Sequence, residues 1–211
     1  MLTLYGCPNS RSLRAVWALE EAGADYDYVF VNLFKGEGRH PDFLAINPAG
    51  KVPVLRLDSG AVLSETGAIL LWAAERYPDT ALLPADEHAR AQAWRWLCIG
   101  LTELEQPLWT IAKHRFALPE KRRVPEVEST ARWEFDKAAA LLAQRLAEAP
   151  WLAGERFSIA DIVASHCLAW ALSAKLSLED PALPAYLERC FSRPAAQRAQ
   201  AREAAAKEAR S

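Results

Sequence analysis

The chain has 211 residues, 51% of them apolar, and a formal net charge of −2 at neutral pH. That apolar share supports a substantial core and excludes disorder over most of the length. The near balance of charge, kept in both halves, argues against a general nucleic-acid or anionic-membrane binder.

Four cysteines, Cys7, Cys98, Cys167 and Cys190, lie far apart, with no CxxC pair and no histidine at ligand spacing. The pattern suits neither a zinc site nor a disulfide framework. Met1–Gly6 lacks the basic stretch and apolar run of a secretion signal, and no run approaches the ~18 apolar residues of a membrane span. The expectation is a cytoplasmic protein with reduced thiols and no metal.

Leu2-Thr3-Leu4-Tyr5 alternates and reads as a strand. Gly6-Cys7-Pro8-Asn9-Ser10 is a loop signal. From Arg11 the period turns helical, with Leu13, Val16 and Trp17 on one face and Gly23 as the stop. Tyr26–Val31 is aromatic and β-branched, a second strand. This β-α-β order implies parallel strands joined by a right-handed crossover. A polar stretch, Lys35–Arg39, leads to a short helix around Pro41–Leu44.

Asn47-Pro48-Ala49-Gly50-Lys51-Val52-Pro53 then opens a hairpin, Val54–Leu63, that turns at Asp58-Ser59-Gly60. Proline lacks an N–H and cannot sit inside a sheet ladder, so Pro53 marks an edge, a bulge or a cis bond. Ser64-Glu65-Thr66 starts the next helix, and free N–H groups with a hydroxyl at a helix start form an anion site. Together these features suit a peptide ligand with a carboxylate. They equally suit a plain hairpin followed by a helix cap.

Residues 1–78 thus form a first domain, 79–87 a linker and 88–211 an all-helical domain. In the last, Trp94, Leu97, Cys98, Leu101, Leu104 and Leu108 share helical spacing, as do Val127, Ala131, Phe135, Ala138, Leu142 and Leu146. Ser158 fits an N-cap with Asp161 at the third helical position, and Phe157 with Ile162 fits a hydrophobic staple. The helix they launch is apolar nearly all round and belongs at the centre of a bundle. The Ala-rich tail from Ala195 to Ser211 reads as a frayed helix of little consequence.

The chain resembles a cytosolic glutathione S-transferase over nearly its whole length. Asn47–Pro53 is similar to that family's segment with the cis proline. Ser64-Glu65-Thr66 with Ala68-Ile69 is similar to its Glu/Gln-Ser/Thr-x-x-Ile signature, and Ser158-Ile159-Ala160-Asp161 resembles the capping box of its helical domain. The resemblance implies an α/β thioredoxin-like first domain, an all-α helical bundle, a homodimer, and glutathione as cosubstrate with a small hydrophobic electrophile.

By that resemblance the Val52 backbone, turned outward before Pro53, pairs with the peptide like an added strand. Thr66 takes the γ-glutamyl carboxylate and Glu65 the α-ammonium, while Lys51, helped by His40, takes the glycyl carboxylate. Lys51 and His40 are also plausible as plain surface residues. The chemistry needs a thiolate, held by a donor near a helix N-terminus. That donor lies within Cys7–Ser12. Ser10 aligns best with the serine-type members, with Asn9, Cys7 and Ser12 as alternatives. Trp109, Lys113, His114 and Phe116 are expected to wall the electrophile site between the domains, although Trp109 and Phe116 fit core or dimer contacts as well.

Two other functions remain open from the sequence. Cys7-Pro8-Asn9-Ser10 resembles the Cys-Pro-x-Ser of monothiol glutaredoxins, so Cys7 with a lowered pKa is a candidate for disulfide reduction or peroxidase chemistry; a buried free thiol is the plainer reading. A non-catalytic module of the same fold, used for protein contacts, is the other.

Overall fold

β1 (Leu2–Gly6) is buried along its whole length, as a central strand must be. It pairs in parallel with β2 (Tyr26–Phe30) and antiparallel with β3 (Val54–Arg56), which pairs with β4 (Val62–Ser64). The sheet order is β2-β1-β3-β4. The computed structural model describes residues 1–210, and these form two compact units. Ser211 lies outside the described residues.

The first unit runs from Met1 to Leu83 and takes up the chain again from Ser192. Side chains alternate across the sheet. Tyr5 and Val54 point to one face, where they pack with Val31 and Phe43 and with the half-buried Ile46 and Val52. Phe43 and Ile46 come from the short helix α2 (Pro41–Ile46). Their paired neighbours Leu4 and Leu55, both fully buried, point to the other face. That face is covered by α1 (Ser12–Glu21), which packs on β1 and on α3 (Thr66–Arg76). The β-α-β, α, β-β-α order expected from the sequence is the order observed.

The tail differs from its expectation. It is a packed helix, α9 (Pro194–Glu208), lying on α1 and β2, so it belongs with the first unit and not with the helical half. Its buried residues are Ala195, Ala196, Ala199 and Glu203, and the three alanines are small enough to bring α9 close to α1. Arg198 and Arg202 donate to the Glu20 carboxylate at 3.0 and 2.8 Å, and Arg193 grips Glu21 at 2.6 and 2.8 Å. Arg202 also lies 4.4 Å over the Tyr26 ring. Burial pushes the Glu20 carboxyl up, but hydrogen bonds from Tyr26, Arg198 and Arg202 outweigh it and hold the pKa below the usual range.

The second unit, Pro84–Phe191, is helical. α4 (Glu87–Ile99) is capped by Asp86, which accepts from the Ala89 N–H at 2.8 Å. The chain continues through a π-helical turn (Gly100–Leu104), α5 (Glu105–Ala112) and a second π-helical turn (Lys113–Ala117). Each wide turn rotates the buried stripe. Within α4 the buried stripe runs through Ala93, Trp96 and Leu97, so Trp94 and Cys98, expected on the same face as Leu97, are exposed, while Leu104 and Leu108 beyond the first wide turn are buried. α6 (Val127–Glu148), α7 (Ile159–Ser173) and α8 (Ala182–Phe191) complete the bundle.

α7 is its centre, with Ile159, Ile162, Val163, Cys167 and Leu168 fully buried. At its start the Asp161 carboxylate accepts from the Ser158 N–H (2.8 Å) and hydroxyl (2.9 Å), the Leu152 N–H (3.0 Å) and the Tyr186 hydroxyl (2.8 Å). No helix among the described residues is long and apolar enough to cross a membrane.

Candidate functional site

Strand register decides which loops meet. Tyr5 pairs with Val54, Val54 with Ser64, and Gly6 with Phe30. The C-terminal ends of β1, β2 and β4 and the N-terminal end of β3 therefore lie at one end of the sheet. This gathers the Cys7–Ser12 loop, Val52-Pro53, Glu65-Thr66 and the residues after Phe30. The N-termini of α1 and α3 open at the same end, so two helix dipoles present positive charge there.

The Val52–Pro53 bond is cis. No hydrogen bond engages the Val52 backbone among the described residues, so its N–H and C=O are available to an added strand. The turn before it is rigid. Asn47 Oδ1 accepts from the Ala49 N–H at 3.2 Å, and its Nδ2 donates to the Lys51 carbonyl at 2.8 Å. Gly50 has φ +64°, and a side chain there would meet the Gly38 carbonyl oxygen at 2.6 Å and the Arg39 guanidinium at 3.2 Å. The loop after β2 thus seats on this turn and brings Arg39 and His40 near Lys51. Lys51, Arg39 and His40 are all exposed, and none of them forms a salt bridge among the described residues, although His40 helps to lower the Glu37 carboxyl. Arg39 was not singled out from the sequence, since nothing local distinguishes it in a polar run.

Glu65 adopts φ +70°, ψ +124°, a region that non-glycine residues avoid. Backbone strain of this kind concentrates at binding sites. Its carboxylate is exposed and unpaired among the described residues. Thr66 follows as the first residue of α3, its side chain only 6% exposed and its N–H without an intrahelical partner.

The Cys7–Ser12 loop separates the four activator candidates. Ser12 is fully buried, and its Oγ accepts from the Cys7 N–H at 3.1 Å. Ser10 is half-buried. Its Oγ donates to the Cys7 carbonyl at 2.6 Å and accepts from the Ser12 N–H at 3.1 Å. Asn9 is exposed with φ +59°, a turn conformation that asparagine tolerates.

Cys7 runs against the sequence expectation of a lowered pKa. It is 1% exposed, and burial pushes its thiol up. The Leu33 N–H, which donates to the sulfur, and Lys207 pull only partly the other way, while Glu203 and Glu37 add to the rise.

In the second unit, Trp109 and Lys113 are half-buried and Phe116 is 66% exposed. Lys113 and Phe116 stand one turn apart in the second π-helical turn. That turn is held in place: Arg123 donates to the Phe116 and Leu118 carbonyls at 3.0 and 2.8 Å, and the Val124 N–H donates to His114 Nδ1 at 2.9 Å. Within it, Arg115 donates to Glu128 at 2.9 and 2.6 Å, and together with Arg132 it pulls that carboxyl down to about 2.

The model of the glutathione S-transferase N-terminal domain matches residues 1–75, and that of the C-terminal domain matches residues 104–194. Glutathione S-transferase GstA of Escherichia coli O157:H7 is 33% identical over 199 residues, spanning 93% of this chain and 96% of that protein. The chain belongs to the glutathione S-transferase family. Disulfide-bond oxidoreductase YfcG of Escherichia coli K12, of the same length class, is 34% identical over 206 residues, covering 92% of each chain. Among solved structures, a sphingomonad glutathione S-transferase complexed with glutathione superposes with a TM-score of 0.84. It is 33% identical and covers 96% of this chain and 98% of that one. The thioredoxin-like β/α domain and helical domain of the family are those described above.

Proposed function

We propose that the protein is a glutathione transferase: it binds glutathione at the end of the sheet, stabilises the thiolate and directs it at a hydrophobic electrophile. The observation that carries this reading is the convergence on one sheet end of an unpaired Val52 backbone, the α3 N-terminus with Thr66, and the hydroxyl of Ser10.

In this reading the cysteinyl backbone pairs with Val52 as an added strand, and Thr66 takes the γ-glutamyl carboxylate through its N–H and hydroxyl. Glu65 receives the α-ammonium. Lys51 and Arg39, with His40 nearby, receive the glycyl carboxylate. Ser10 is the activator. Its Oγ already accepts from the Ser12 N–H, so the hydroxyl proton is polarised for donation once it swings from the Cys7 carbonyl to the thiolate. The thiolate forms the new C–S bond as the leaving group departs with its electron pair, and the thiol proton passes to solvent. Trp109, Lys113 and Phe116 contact the electrophile, and a homodimer is the active form.

Ser12 and Cys7 are poorly suited to the activating role, because neither side chain is exposed to a ligand. The likeness to YfcG favours a second reading, reduction of a disulfide at the same glutathione site. It would rely on the thiol of glutathione and not on Cys7, which is buried with a raised pKa.

The test is retention on immobilised glutathione together with conjugation of a chloronitrobenzene, for wild type, Ser10→Ala, Asn9→Ala and Cys7→Ala. The transferase reading expects retention by all four and loss of turnover in Ser10→Ala. Retention with no turnover by wild type would sink it, and reductase activity in that case would support the second reading.

A further inference from the structure

Behind the Cys7–Ser12 loop, on the side of α9, stands a buried carboxyl that the proposed chemistry does not use. Glu203 is 5% exposed. Its hydrogen bond among the described residues comes from the Tyr28 hydroxyl at 3.3 Å, and no ion pair reaches it. Tyr28, on β2, lies against Gly6. A side chain at Gly6 would meet the Tyr28 ring and its hydroxyl oxygen at 2.7 Å. Gly6 is the last residue of β1 and the hinge from which the loop departs. An unbroken contact path therefore runs from the last helix through Tyr28 and Gly6 to the loop that carries Ser10.

We propose that Glu203 is a positioning residue for the Cys7–Ser12 loop, acting through Tyr28 and Gly6. This rests on the reading of that loop as the thiol-activating element. While Glu203 is neutral it accepts the Tyr28 hydrogen bond without a charge to solvate. The ring is then pinned over Gly6, and the loop is held with Ser10 in register. Once ionised, the carboxylate is drawn from the apolar seam toward water and carries the Tyr28 hydroxyl with it, because their hydrogen bond strengthens with the charge. The Tyr28 ring then shifts, and Gly6 and the loop lose their backstop.

The groups around Glu203 do not offset such a charge. From β2 come the Tyr26 and Tyr28 phenols, and from the loop the Cys7 thiol. From α1 comes Glu20, which is taken by Arg198 and Arg202. Lys207, one turn along α9, bears on Cys7. Burial accordingly pushes the Glu203 carboxyl up to about 8, opposed only by the Tyr28 hydrogen bond. The Tyr28 phenol is raised far above its ordinary range by burial and by Glu203, so it does not ionise in the same interval.

The experiment reads the ligand-free protein first. Backbone amide shifts of Asn9 and Ser10 are followed by NMR from neutral to alkaline pH in wild type, Glu203→Gln, Tyr28→Phe and Cys7→Ser. The proposal expects a titration with midpoint near the Glu203 value in wild type and in Cys7→Ser. It expects none in Glu203→Gln, where the amide stays neutral, and none in Tyr28→Phe, where the link is cut but the ring remains. Chloronitrobenzene conjugation is the second readout. One pH unit above the midpoint, wild-type kcat is expected to fall ~10-fold relative to Glu203→Gln, with the KM for glutathione the same in both. An amide titration that persists in Glu203→Gln overturns the proposal. An amide titration that behaves as expected in a protein without turnover upholds the positioning role and refutes the transferase reading alone.

Discussion

Replacing Asp161 by alanine removes the acceptor of four hydrogen bonds at the centre of the helical unit. Three donors cannot find another partner: the Leu152 and Ser158 N–H groups and the Tyr186 hydroxyl, all in fully buried residues. Each orphaned buried donor costs ~1–3 kcal/mol. Against this stands the release of a carboxyl whose pKa is raised by burial, although its hydrogen bonds pull the other way. The net loss worked from these terms is ~3 kcal/mol, which for a chain of this size lowers Tm by roughly 6–12 °C. Calorimetry and urea unfolding measure it, with the exposed Asp136→Ala on α6 as control, where the expected change is within ~0.5 kcal/mol. Asp161→Asn keeps the shape but turns an amide N–H toward the Ser158 donor, so it should fall between. A loss in Asp161→Ala no larger than that in Asp136→Ala would refute the reasoning.

Thr66→Val keeps volume but deletes the hydroxyl; a lost charge-assisted hydrogen bond of ~1.5–3 kcal/mol predicts a glutathione Kd weaker by roughly 10- to 100-fold, measured by calorimetric titration. Gly50→Ala forces a methyl group against the Gly38 carbonyl at a positive φ, so glutathione affinity should fall at least ~10-fold while the helical unit keeps its thermal transition. Glu203 has a folded-state pKa of about 8 against 4.5 unfolded, so the folded state holds the proton more tightly. The associated stability is complete below 4.5 and is lost as pH rises through 8. Glu203→Gln should therefore flatten the decline of Tm between pH 4.5 and about 8, and an unchanged decline across that window would show that Glu203 does not titrate there.

Much of the first unit was readable because its strands are short, β-rich and punctuated. Leu2–Tyr5 alternates, Pro53 can only open a strand, and Asp58-Ser59-Gly60 can only be a turn. Ser158 and Asp161 are spaced for a helix start whatever surrounds them. The tail was not readable. Its buried stripe is three alanines and a glutamate, too weakly apolar to signal packing. The partners that hold it, Glu20 and Glu21, are more than 170 residues away in the chain. In α4 two apolar stripes are available one residue apart, Trp94 with Cys98 and Ala93 with Trp96 and Leu97, and spacing alone does not tell which of them packs. In the Cys7–Ser12 loop the residue types were legible but their directions were not. Whether a thiol is lowered by a helix start or raised by burial depends on where Leu33, Tyr28 and Glu203 lie. That is a property of the sheet and of the last helix, not of the Cys-Pro-Asn-Ser sequence.

The central claim is that this site holds glutathione as a thiolate through Ser10. The ultraviolet absorbance of bound thiolate, titrated against pH in the binary complex, tests it most directly. Wild type should ionise bound glutathione well below the free thiol. Ser10→Ala should raise that ionisation by ~1–2 pH units, the equivalent of one charge-assisted hydrogen bond. Identical titrations for wild type and Ser10→Ala, with the shift appearing instead in Asn9→Ala, would contradict it.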